Sequence, residues 1–138
     1  MHFLLYTFVI PLLFQTSNFE GKWVTVDDET GIEKSIITLY VQNYKLYGKI
    51  DTLLLEEDKG QTCTNCKGSE KNMPIEGLLI LKGLIKDGNS WTGGSILDPA
   101  NGKEYDCTLT LSGTTKLKVR GFIGFSFLGR TQIWKRLE

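Results

Sequence analysis

Histidine is almost absent from this chain of 138 residues, since the single one, His2, lies next to the first apolar stretch. The rest of the chain therefore offers no Ser-His-Asp triad and no histidine general base. An excess of either charge is also missing, because 16 basic residues balance 16 acidic ones. Without a strong field, nothing draws nucleic acid to the surface. We expect a protein that is not an enzyme, has no catalytic residue and does not bind nucleic acid.

Long apolar runs are scarce, and the one that stands out covers residues 3–14. Its length suits the core of a signal peptide and is too short to cross a bilayer comfortably. No Lys or Arg precedes it and no A-x-A cleavage site follows, so a short membrane anchor or a buried first strand is the alternative. We predict a signal peptide over residues 1–17 and one domain over residues 18–138. The product would be secreted or periplasmic, with no stable transmembrane span after processing.

Helical periodicity of useful length is missing as well. Instead, strand-length segments of alternating apolar and polar residues recur between turn signals, which favours a barrel or a sandwich. Closing the sheet removes unpaired edges, so we predict an all-β fold, a single antiparallel up-and-down barrel of about eight strands. Such a barrel has room for side chains or one small ligand. The predicted strands cover residues 21–27, 34–41, 44–53, 75–84, 90–97, 104–111, 115–122 and 130–137.

The two carboxylates of the sixth predicted strand have a catalytic and a structural interpretation. Glu104 and Asp106 share one face, opposite the face of Tyr105 and Cys107. A glycosidase-like carboxylate pair is one interpretation. We instead expect an exposed outer face that forms cross-strand ion pairs with the cations of residues 116–120.

Glycines and turn residues mark where the strands bend and reverse. The pair Gly93-Gly94 lies inside the fifth predicted strand and indicates a bulge or sharp bend. Residues 98–102 combine Asp-Pro with Asn-Gly, which is strong turn chemistry. The longest irregular segment covers residues 56–74 and is rich in charge, Gly and Thr.

Two terminal features resemble a known type of barrel. Gly21-Lys22-Trp23 opens the first strand, and basic residues stand beside Trp134 on the last. This combination is similar to lipocalin and avidin barrels, in which the Trp and the basic side chain pack at the closed end. The resemblance implies a lipocalin-like barrel.

A longer series of blocks resembles a family of uncharacterised bacterial secreted proteins, the domain of unknown function 2147 family. The blocks cover residues 46–50, 74–78, 93–99, 101–105 and 117–121, and end at 129–134. The resemblance implies an envelope protein with no established activity. The residues that define this fold are Gly21, Trp23, Gly93, Gly94, Asp98, Pro99, Asn101, Gly102, Arg120, Gly121, Gly129, Arg130 and Trp134.

The three cysteines leave several interpretations open. Cys63 and Cys66 have the C-x-x-C spacing of redox pairs, half zinc sites and haem attachment. Haem attachment normally needs a His directly after the second cysteine, but this chain has Lys67 there. A structural zinc site needs four ligands, and the three cysteines, Cys107 included, supply only three. The simplest alternative is a disulfide, from Cys63 to Cys66 or from one of them to Cys107, which as a free thiol would be ordinary core. We expect no cofactor, with zinc or another thiolate-bound metal as the alternative.

Our leading hypothesis is a monomeric binding protein whose barrel holds a small apolar or amphipathic molecule. The candidate lining residues are Trp23, Trp91, Tyr105 and Trp134. The first alternative is a structural or protein-interaction module of the cell envelope that uses its outer face and the aromatic turn over residues 122–128. The second is a thiol-based metal or redox site at the cysteines.

Overall fold

A computed structural model describes residues 18–124 and 129–137. Eight antiparallel strands each pair with the next, and the first also pairs with the last, so the predicted eight-stranded barrel is confirmed. The predicted signal peptide and residues 125–128 of the aromatic turn lie outside the described residues. The strands are β1 (Gly21–Val26), β2 (Glu33–Gln42), β3 (Lys45–Leu53), β4 (Leu79–Asp87), β5 (Ser90–Asp98), β6 (Lys103–Ser112), β7 (Lys116–Phe122) and β8 (Gly129–Arg136).

The position predicted for the fourth strand, residues 75–84, is wrong by several residues at each end. β4 begins at Leu79, because the chain before it still turns: the Gly77 N–H donates to the Ile50 carbonyl at 2.7 Å. β4 also continues through Asp87, which pairs with Ser90 across a turn of only two residues. An apolar run that belongs partly to a packed loop cannot be told from a strand by periodicity alone.

The segment between β3 and β4, residues 54–78, is here called the long connection. It contains two single-turn 3₁₀ helices, Glu56–Asp58 and Gly68–Glu70, and one isolated β-bridge between Thr62 and Pro74. In the described part of the chain no helix is long and apolar enough to cross a bilayer.

The two ends of the barrel differ, because connections of an up-and-down barrel alternate between its ends. Short turns join the strands at one end, here called the short-turn end, through residues 43–44, 88–89 and 113–115. Longer segments meet at the other end, here called the loop end, through residues 27–32, 54–78, 99–102 and 123–124.

Tryptophan packing fills the half of the barrel nearest the short-turn end. Trp23 is completely buried, its indole N–H donates to the Phe19 carbonyl at 2.8 Å, and the Arg136 guanidinium lies 4.2 Å from its ring centre. This cation-π contact is the packing between the Gly-x-Trp start and a basic residue of the last strand that the resemblance implies. Trp91 and Trp134 are also buried in this half.

The Gly93-Gly94 pair forms the predicted bulge, since the β5–β6 register shifts between Trp91 and Gly94. Gly93 has a φ of +79°, which favours glycine. A Cβ on Gly94 would lie 2.3 Å from the backbone oxygen of Lys82, so only glycine allows β4 and β5 to approach this closely.

Candidate functional site

On the side formed by β5, β6 and β7, burial of the inner wall decreases toward the loop end. On β6, Leu109 and Cys107 are buried, whereas Tyr105, the next inward-facing residue, is half-buried. Ile96 is paired with Tyr105, and Gly121 with Cys107, and both are half-buried too. Solvent therefore reaches the inner wall from the loop end.

We call this accessible part of the inner wall the cup. Its floor includes a polar group, because Gln132 accepts a hydrogen bond of 3.1 Å from the indole N–H of the buried Trp134. On the β1 side, Thr25 and Ser35 share a hydrogen bond of 2.6 Å. The cup consists of Thr25, Ile96, Tyr105, Gly121 and Gln132.

The four residues predicted to line a ligand site occupy two different places. Tyr105 lies in the cup, where its hydroxyl accepts a hydrogen bond from the Asn101 amide at 3.0 Å. Trp23, Trp91 and Trp134 lie deeper, in the packed half, and are no more than 4% exposed. Of the four, only Tyr105 is accessible from the loop end.

Trp91 is buried, with 4% of its surface exposed, yet in the part of the chain that the structure describes its indole N–H has no hydrogen-bond acceptor. Phe19 packs edge-on against its ring at 6.4 Å. A buried donor without an acceptor costs about 1–3 kcal/mol.

A pocket of about 460 Å³ lies at the loop end, between the long connection and the β5–β6 hairpin. This volume falls within the range of small-molecule sites, about 300–1,000 Å³. We call it the rim pocket, and it shares Tyr105 with the cup. Its lining residues are Lys67, Glu70, Leu97, Gly102, Lys103, Glu104, Tyr105 and Ile123.

The long connection is held against the hairpin by close backbone contact. The structure joins Cys63 to Cys66, and the Asn65 side-chain amide between them donates to the Ala100 carbonyl at 2.9 Å. Gly102 has a φ of +72°, and a Cβ on it would lie 1.8 Å from the Asn65 carbonyl oxygen. The absence of a side chain at this predicted turn glycine therefore also allows the C-x-x-C segment to pack against the turn.

Cys107 is separate from this pair, a buried free thiol inside the barrel. Its burial raises the pKa of the thiol to about 12. Among the described residues, no group of three or more His, Cys, Asp and Glu is placed to hold a metal ion. The structure thus does not bring the three thiols together as the metal hypothesis requires.

Lys82 joins the long connection to the outer wall of the barrel. Its ammonium lies 2.9 Å from the Glu70 carboxylate and 2.5 Å from that of Glu104. Burial opposes its charge, but the two carboxylates outweigh burial and raise the pKa of Lys82. The expected pairing of Glu104 and Asp106 with the cations of residues 116–120 is wrong, because the register places Phe122 opposite Asp106.

At the loop end, Arg130 binds the loop between β1 and β2. Its Nε lies 2.6 Å from one Asp28 oxygen, and Nη2 contacts the other, so the ion pair is bidentate. This guanidinium lowers the pKa of Asp28. On the outer wall, Arg120 donates to the Thr131 hydroxyl at 2.8 Å. Arg130 thus connects β8 to the β1–β2 loop, and Arg120 connects β7 to β8.

Sequence analysis does not single out Lys67, Lys82 or Lys103. The rim pocket forms only when three separate segments of the chain, residues 67–70, residues 97–105 and Ile123, come together. The one local signal is position, because Lys67 follows the C-x-x-C segment and Lys103 follows the Asn-Gly turn.

The closed eight-stranded barrel with an accessible inner wall at one end defines a lipocalin-like protein. The sequence matches over residues 21–136 the family described as "Uncharacterized protein conserved in bacteria (DUF2147)", and the chain belongs to that family. Among solved structures it is similar to protein HP1028 from Helicobacter pylori, which is described as belonging to the lipocalin family. The TM-score is 0.75 at 21% identity, over 86% of this chain and 82% of that one. No curated protein matches the sequence.

Proposed function

We propose that this protein binds a small amphipathic molecule at its loop end, with the apolar part of the ligand in the cup. One observation carries the proposal: the inward-facing Ile96, Tyr105 and Gly121 are half-buried, although the inner wall below them is filled. Ligand pockets combine such apolar walls with a few polar groups, here Gln132 and the Tyr105 hydroxyl. The lipocalin-like fold supports the same function by analogy.

We further propose that the protein binds its ligand without transforming it. Within the described residues, the rim pocket has no serine or cysteine beside a base, and its two carboxylates are engaged by Lys82. Nucleophilic catalysis needs an activated nucleophile, which this arrangement does not supply. Export remains part of the proposal, supported by the apolar run at residues 3–14 and by the Cys63–Cys66 disulfide, which suits an oxidising compartment.

The interaction-module hypothesis stays a prediction. Ile123 at the start of the aromatic turn is 65% exposed, but residues 125–128 lie outside the described part. The structure therefore adds no observation that favours this second function.

The neutral fluorescent probe N-phenyl-1-naphthylamine tests the cup. A Cβ on Gly121 would be in ordinary contact with Ile96 and Tyr105, at 3.6 and 3.8 Å, so Gly121→Leu would fill the cup. We expect the natural protein to bind the probe with a blue shift, and Gly121→Leu to weaken binding at least tenfold. The control Thr108→Leu, on the outer face of β6, should leave binding unchanged. A natural protein that retains its near-ultraviolet circular dichroism but does not bind the probe would refute the proposal.

A further inference from the structure

The rim pocket has an unequal set of charges. Four ionisable side chains line it besides Tyr105, two lysines and two glutamates. Glu70 and Glu104 both bind Lys82, and these three side chains together carry one net negative charge. Lys67 and Lys103 form no ion pair with any residue that the structure describes. With Lys82 included, the pocket has three cations and two carboxylates, so its net charge is +1.

Apolar surface lies beside these two cations. Leu97 is 3% exposed beneath the long connection, and Ile123 is 65% exposed at the edge of the pocket. Tyr105 joins the pocket to the cup. A molecule with one charged end and one apolar end would find cations in the rim pocket and apolar side chains in the cup, with Tyr105 common to both.

We propose that the rim pocket binds the anionic head group, a carboxylate or phosphate, of an amphiphile whose apolar tail enters the cup. Lys67 and Lys103 are the head-group ligands, and the exposed Ile123 contacts the first part of the tail. The inference rests on the proposed function and names the class of its ligand. Lysine ammonium groups bind such anions through charge-assisted hydrogen bonds.

A cationic amphiphile is the competing ligand, because the loop end as a whole is acidic. Its segments 27–34, 54–78, 98–104 and 129–131 contain 11 carboxylates and 6 basic side chains. Much of this charge is paired, as between Asp28 and Arg130 and between Glu56 and Lys59. Exposed charges are also screened over about 8 Å at physiological ionic strength, so the charges that line the pocket dominate at contact.

The disulfide determines where one head-group ligand lies. Lys67 directly follows Cys66, and the Cys63 carbonyl accepts hydrogen bonds from the Asn72 N–H at 2.8 Å and the Cys66 N–H at 3.3 Å. The segment is thus folded on itself and seated on Gly102. Reduction should release Lys67 from the pocket while Lys103, on β6, keeps its place.

Isothermal titration with four C12 amphiphiles and inorganic phosphate tests the head-group preference. Dodecanoate, dodecyl phosphate, dodecyltrimethylammonium and dodecanol share a tail and differ in charge. We expect the two anions to bind at least tenfold tighter than the cation, and inorganic phosphate alone to bind much more weakly than dodecyl phosphate. Phosphate binding as tight as dodecyl phosphate would instead mean a site for a free anion and would overturn the proposal.

A double variant assigns the preference to the two lysines. Lys67→Gln with Lys103→Gln should lower affinity for dodecyl phosphate at least tenfold and leave dodecanol binding unchanged. The matched control is Lys71→Gln, an exposed lysine of the long connection that does not line the pocket. Tight binding of the cation, or an unchanged double variant, would overturn the inference while binding in the cup stands. Failure of every amphiphile and of the naphthylamine probe would refute the proposed function itself.

Discussion

Several residues of this barrel make contacts over long distances in the sequence, and their immediate neighbours in the chain do not reveal these contacts. Asp-Pro and Asn-Gly predict the turn at residues 98–102. The close backbone contact between Gly102 and Asn65 cannot be predicted in this way, because the two residues meet only in the folded chain. The same holds for Lys82, whose partners Glu70 and Glu104 lie 12 and 22 residues away. Local turn chemistry was predictable, whereas long-range ion pairs and the rim pocket were not.

Cys107 gives the first prediction, which concerns thiol reactivity. The thiol is buried and its pKa is raised to about 12, so almost no thiolate exists at pH 8. We expect the native protein to react with Ellman's reagent far more slowly than the unfolded protein, in which one thiol per chain reacts at once. Comparable rates in both states would show that Cys107 is not buried as described.

The same shift predicts a pH dependence of stability. Below the ordinary thiol pKa of 9.0 the group is protonated in both states and costs nothing. As pH rises from about 9 toward 12, the unfolded chain loses this proton and the folded chain does not, so the free energy of unfolding falls. Urea unfolding at pH 8 and pH 10 should show a larger loss for the natural protein than for Cys107→Ala, which serves as the control for all other titrating groups.

At the scale of elements, alternation identified the strands wherever one face is buried against the barrel interior. β6 is the clearest case, with Leu109 and Cys107 inside and Thr108 between them. The boundary of β4 was misplaced because Ile75 and Leu78 are apolar for another reason: the long connection packs them against the barrel. Apolar residues of a packed loop look like strand residues in sequence, and only the three-dimensional arrangement separates them.

The Cys63–Cys66 disulfide gives the prediction at this scale. Cys63 and Cys66 enclose a very small loop, and the barrel strands pair without them. We therefore expect Cys63→Ser with Cys66→Ser to keep the far-ultraviolet spectrum of the barrel and to lose no more than about 2 kcal/mol of stability. Hydrogen exchange should accelerate in the long connection, at the N–H groups of Cys63 and Asn72, and not in β6 or β7. Global acceleration would contradict a local role for the disulfide.

The whole molecule depends on how β1 and β8 close the barrel. These strands share two paired positions, Trp23 with Arg136 and Val24 with Lys135, whereas β7 and β8 share seven. One further backbone hydrogen bond, from the Leu137 N–H to the Lys22 carbonyl at 2.9 Å, extends this seam. Because few backbone bonds close the sheet here, side chains must supply much of the closure.

Arg136 supplies most of that closure, through three backbone carbonyls and one aromatic ring. Its Nε donates to the Thr114 carbonyl at 2.8 Å, Nη1 donates to that of Glu20 at 3.2 Å, and Nη2 to that of Asn18. The same guanidinium stacks over Trp23. One side chain thus ties β8 to the segment before β1 and to the β6–β7 turn.

Replacing Arg136 should therefore destabilise the barrel more than its position near the chain's end suggests. We expect Arg136→Ala to lower the free energy of unfolding by about 3 kcal/mol, since hydrogen bonds to a charged group and the cation-π contact are lost together. Arg136→Lys keeps the charge but not the planar fork and should recover less than half of this loss. The neighbouring Lys135, half-exposed and 3.4 Å from Glu33, is the matched control. Lys135→Ala should cost no more than about 0.5 kcal/mol in urea unfolding, because exposed ion pairs contribute little, and equal losses for the two alanine variants would show that the seam does not depend on Arg136.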